Sequence, residues 1–80
     1  MPLEQLLEWV RRRPFVPFRV HMSDGGSYEV RHPDLIMPGA RSVIIGIPGI
    51  ALPEGVYEHT VLVALIHITR LEPLAAQVTP

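Results

Sequence analysis

Phe18-Arg19-Val20-His21-Met22-Ser23-Asp24-Gly25-Gly26-Ser27-Tyr28-Glu29-Val30-Arg31-His32 is the stretch that decides the fold. Phe18, Val20 and Met22 alternate with Arg19, His21 and Ser23. Beyond Asp-Gly-Gly the alternation resumes, with Tyr28, Val30 and His32 against Glu29 and Arg31. A period of two places the apolar set on one face of a strand, and Asp-Gly-Gly between two such runs reads as a hairpin turn. Opposed residues share a face, so the pattern pairs Met22 with Tyr28 and Val20 with Val30. It leaves Asp24 to Gly26 in the loop, gives Gly26 the left-handed position, and sets His21 opposite Glu29.

Working outward toward the N-terminus, Pro14-Phe15-Val16-Pro17 is an extended connector whose prolines disfavour helix in the residues before them. Residues 2–12 are expected to form a helix, with Leu3, Leu6, Leu7 and Val10 in one apolar stripe. Pro2 suits its first turn. Glu4 and Glu8 toward its start, and Arg11, Arg12 and Arg13 at its end, complement the helix dipole. Trp9 lies beside the stripe: it serves either to pack helix on sheet or, where exposed, to meet a partner.

Working outward toward the C-terminus, His32-Pro33-Asp34 reads as a corner, Leu35 to Met37 as a short strand and Pro38-Gly39 as a turn. Ser42 to Ile47 is a β-branched strand apolar on both faces, a pattern expected where both faces are covered; Gly46 marks a bulge or bend. Pro48 to Gly55 is a loop that carries Ile50, Ala51 and Leu52 where loops are normally polar. Val56 to Leu62 is a further strand, Val63 to Leu65 a tight helical turn, and Ile66 to Glu72 the last strand, closed by Pro73. The expected fold is therefore mainly β with one N-terminal helix (α+β): a bent antiparallel sheet or a small barrel of about five strands, capped by the helix. Residues 1–73 form the single domain and 74–80 a frayed tail.

The element order resembles the SH3-like and Sm-like small barrels. The segments Arg13-Pro14-Phe15-Val16-Pro17-Phe18, Asp24-Gly25, His32-Pro33-Asp34 and Leu62 to Ile68 together resemble a family of small uncharacterised bacterial proteins of planctomycete type, over roughly residues 11–72. That resemblance implies a fold unit and carries no activity with it.

Composition narrows the chemistry. Eighty residues make one domain with a thin core, burying about 60% of its unfolded surface. The chain lacks cysteine, so disulfides, thiolate metal sites and a cysteine nucleophile are excluded. It is 48% apolar, rich for so small a domain, which favours cover by a second subunit. The formal net charge is −1, and all seven basic residues are arginine. No basic leader or membrane-spanning run is apparent, so the expectation is a cytoplasmic protein without membrane contact.

His21, His32, His59 and His67 lack the close spacing of a metal motif, so no metal and no cofactor are expected. A serine, a histidine and Asp24 or Asp34 can be combined on paper, but without a nucleophile elbow; the chain is read as not an enzyme. Arg11, Arg12, Arg13, Arg19 and Arg31 offer the alternative of an RNA-binding Sm-like barrel. The negative net charge and the missing Asn and Arg-Gly or Lys-Gly signatures weigh against nucleic acid. The favoured expectation is a non-enzymatic interaction domain, a homodimer or the binder of another protein, meeting its partner through Ile50, Ala51, Leu52 and Trp9.

Overall fold

The computed structural model describes residues 1–53 and 56–74. The chain is mainly β with one N-terminal helix: α1 (Leu3–Val10), β1 (Phe18–Met22), β2 (Ser27–Val30), β3 (Ile36–Pro38), β4 (Ser42–Pro48), β5 (Tyr57–Ala64) and β6 (Ile68–Pro73). The strands form two three-stranded antiparallel sheets, ordered β2-β1-β6 and β3-β4-β5. The chain passes between them at two single turns of 3₁₀ helix, Pro33–Leu35 and Leu65–His67. Proline at the first turn removes a ladder donor and sets φ for a turn, so the run from Ser27 to Pro38 breaks in two and each half joins a different sheet. The second turn lies two residues later than its expected place at 63–65, because β5 keeps its pairing with β4 as far as Ala64 opposite Ser42.

The hairpin keeps the expected parity and shifts by two residues. Phe18 pairs with Val30, Arg19 with Glu29, Val20 with Tyr28 and His21 with Ser27. The left-handed residue is Gly25 (φ 94°), not Gly26. The Gly25 N–H donates to the Met22 carbonyl and the Met22 N–H to the Gly26 carbonyl, while Asp24 Oδ1 accepts from the Gly26 N–H at 2.8 Å. Ser23 to Gly25 is therefore the three-residue loop, a turn whose last residue needs positive φ. A two-residue slip preserves which side faces the core, so hydrophobic alternation alone does not distinguish the two registers.

One core lies between the sheets and beneath the helix. Leu6, Phe18, Val20, Val30, Val43 and Ile45 are its most deeply buried large side chains, joined by Ile36, Val63, Leu65 and Ile68. α1 lies against β3 and sends Trp9 edge-on to Phe18, with ring centroids 5.4 Å apart. The helix is shorter than the expected 2–12: it ends at Val10, where the Arg11 N–H caps the Leu7 carbonyl ahead of Pro14. Its buried face is Leu6 with Leu3, Trp9 and Val10, and Leu7 stays outside the core cluster. Leu74, assigned to the tail from the sequence, is buried and donates its N–H to the Pro17 carbonyl at 2.8 Å. The ordered unit thus reaches at least Leu74; the rest of the expected tail, 75–80, lies outside the described residues.

Replacing Leu6 by Ala removes a fully buried side chain and is expected to cost about 2–5 kcal/mol in urea unfolding, whereas Leu7→Ala costs under about 1 kcal/mol. Gly46→Ala places a Cβ within 3.1 Å of the Tyr57 ring and Cβ, with an expected loss of about 1–3 kcal/mol in the same measurement.

Candidate interaction surface

The two sheets each turn one face to the core and one outward, and the outward faces differ in chemistry. On β2-β1-β6 Arg19, His21, Glu29, Arg31 and Glu72 form a cluster of paired groups beside the exposed Ser27, Thr69 and Arg70. Arg19 Nη2 donates to Glu29 Oε2 at 2.7 Å, and Arg31 donates to Glu29 Oε1 through Nη2 at 2.8 Å and Nε at 3.2 Å. Glu72 Oε1 lies 2.9 Å from His21 Nε2 and 3.7 Å from Arg19 Nη1. The hydrogen bonds from Arg19 and then Arg31 hold the Glu29 carboxyl below its ordinary value, and the hydrogen bond from His21 does the same for Glu72. This face is built to remain in water.

On the outward face of β3-β4-β5 the paired rows from Met37 to Ala64 are uncharged, and the acidic Glu58 of β5 is exposed at the bulge beside Tyr57. Met37 stands opposite Ile44 and Ile44 opposite Leu62, so three large apolar side chains cross the sheet in one row. Met37 is 66% exposed, Ile44 39% and Leu62 69%. Beside this row runs a second one made of Ser42 opposite Ala64. On the other flank the ladder is irregular between Ile47 and Pro48: Ile47 pairs with His59 and Pro48 with Tyr57. This extra residue on β5 brings Tyr57 over Gly46, where a Cβ would meet the ring at 2.9 to 3.1 Å, and Tyr57 itself stays half exposed. The expectation that Ser42 to Ile47 is covered on both faces therefore fails within one chain. Val43 and Ile45 are buried, and among the described residues no layer lies above Ile44.

The other residues singled out by the sequence are dispersed. Ile50 is fully exposed, and Ala51 and Leu52 are exposed in the loop after β4, with Leu52 lying against Gly49. Trp9 is half buried on Phe18, with the Arg12 guanidinium 4.8 Å above its ring. Arg13 donates to the Val10 and Arg12 carbonyls, and Arg11 is exposed at the end of α1. Arg19 and Arg31 do share a face, but Glu29 and Glu72 neutralise them there, so the five arginines do not form a free cationic stripe.

Among the described residues no three His, Asp or Glu side chains gather as a metal site, and no helix is long and apolar enough to cross a membrane. Ser23 Oγ lies 3.3 Å from His67 Nδ1, and Asp24 is committed to the Gly26 N–H. A cleft of about 370 Å³ opens between Tyr28, Glu29 and Arg31 on one sheet and Ile47, His59 and Val61 on the other. The row Met37-Ile44-Leu62 was missed from sequence although one signal was present. Ile44 sits between two inward residues in an all-apolar strand, and three strands paired in register place like residues in line. No known protein-family profile, curated protein or solved structure matches the chain.

Glu29→Gln is expected to lower stability at pH 7 by about 0.5–1 kcal/mol, the range for a partly exposed ion-pair cluster. Because the folded Glu29 carboxyl titrates below its unfolded value, its contribution is complete above the unfolded value and is lost as pH falls through the folded one. Urea titrations of the two proteins should therefore differ at neutral pH and converge in acid.

Proposed function

We propose that this chain is a non-enzymatic protein-interaction domain that binds through the outward face of β3-β4-β5. The carrying observation is the contrast between the two outward faces. One has its charges paired and hydrated, and the other presents Met37, Ile44, Leu62 and Tyr57 with no charge among them. Burying such side chains is worth roughly 25 cal/mol per Å², so an uncovered row is a standing driving force for association. Exposure alone is ordinary for single apolar residues; four converging on one sheet face of an 80-residue domain are not. The loop Ile50-Ala51-Leu52 is a second apolar element that such a partner could also touch.

A photo-crosslinking amino acid placed singly at Leu62, Ile50 or Arg70, in the chain expressed in its own host, tests this assignment. Adducts at position 62 and none at 70 are expected. Adducts at 50 alone would move the interface to the loop, and their absence at both 62 and 50 would remove the interaction reading.

A further inference from the structure

We infer that the occupant of the β3-β4-β5 face is a second copy of this chain, packed sheet on sheet about a two-fold axis. The inference rests on the interaction reading above and adds the partner and the geometry.

The relief of the face is the first argument. A ridge of large side chains, Met37-Ile44-Leu62, runs across the strands, and next to it along the strands lies the low row Ser42-Ala64. A two-fold axis lying in the interface, parallel to the ridge and midway between the rows, turns each ridge onto the other copy's low row. Leu62 then stands over Ala64 of the second copy and Ile44 over its Ser42. Both contacts occur twice, as an isologous interface requires. Large against small across facing positions is also how two sheets interdigitate at about 10 Å.

Charge is the second argument. The facing positions Leu62, Ala64, Ile44 and Ser42 are neutral, so self-packing brings no like charges together at the centre of the interface. The two ends of the face differ in sign. Arg41 is exposed at the β3–β4 turn, beside the low row, and Asp34 lines the hollow with Met37, Gly46 and Tyr57 at the opposite end. The same axis brings the Arg41 end of each copy toward the Asp34 end of the other.

Area is the third. Met37, Leu62, Tyr57 and Ile44 leave 66%, 69%, 51% and 39% of their surfaces exposed, so full burial of this face in two copies reaches at most about 1,000 Å², the lower bound of a specific interface. An association in the micromolar range, in place of an obligate dimer, is the expected strength.

The natural absence of cysteine makes a direct geometric test available. Single variants Leu62→Cys and Ala64→Cys, mixed under mild oxidation, are expected to form the mixed disulfide in excess over either homodisulfide. Thr69→Cys, on the other sheet, should form none with either. In sedimentation equilibrium at tens of micromolar the unmodified chain should run at twice 9.0 kDa. Leu62→Glu should weaken the dimer at least tenfold, Ala64→Leu should weaken it by filling the low row, and Thr69→Glu, on the other sheet, should leave it unchanged. Unfolding midpoints of the variants separate lost association from lost folding. A monomer at 100 µM, a dimer indifferent to Leu62→Glu and Ala64→Leu, or no preference for the mixed disulfide would overturn the inference. A monomer that still yields heterologous adducts at position 62 would overturn the second copy alone and leave the interaction reading standing.

Discussion

A sheet has two faces, and the described residues cover only one face of β3-β4-β5. The inner face packs Val43, Ile45 and Val63 against the core shared with Phe18, Val20 and Leu6. The single helix is committed to the same core through Leu6 and Trp9. Among the described residues no third layer covers Ile44 and its neighbours. Small domains carry a high ratio of surface to interior, and here Met37, Ile44, Leu62 and Tyr57 lie exposed on one sheet face, while Ile50, Leu52, Val56 and Ile66 are exposed outside it.

The opposite treatment of the other sheet gives this arrangement its meaning. Arg19, Glu29, Arg31, His21 and Glu72 alternate with the buried Phe18, Val20 and Val30 across β2-β1-β6; Arg19 and His21 pair across strands, and Arg31 pairs with Glu29 two residues before it. Each such pair contributes little to stability at an exposed site. The two sheets have the same inner requirement and opposite outer ones. This asymmetry gives the molecule one side with charges paired at its surface and one side with a row of exposed apolar side chains.

Two glycines permit this geometry. Gly25 takes the positive φ that closes the β1–β2 hairpin, and the register it sets brings Glu29 opposite Arg19. Gly46 lets the Tyr57 ring lie flat on β4, where any side chain would lift it. The irregular pairing near Pro48 turns Tyr57 to the outward face, so the apolar surface extends past the Met37-Ile44-Leu62 row instead of ending at it.

The amino-acid order by itself determined the fold class, the single helix, the strand positions to within a few residues and the parity of the β1–β2 pair. Those properties depend on local periodicity, proline and glycine, which are written in neighbouring residues. It did not determine the two-residue slip of the hairpin, because both registers bury the same side chains; the turn hydrogen bonds around Asp24 and Gly25 decided it. Nor did it determine where the exposed apolar surface lies. The loop Ile50-Ala51-Leu52 is conspicuous in sequence because its residues are contiguous. Met37, Ile44 and Leu62 are 7 and 18 positions apart and become one row only when β3, β4 and β5 pair in register. A surface assembled from distant strands exists only after long-range hydrogen bonding has aligned them, so only the tertiary structure could decide it.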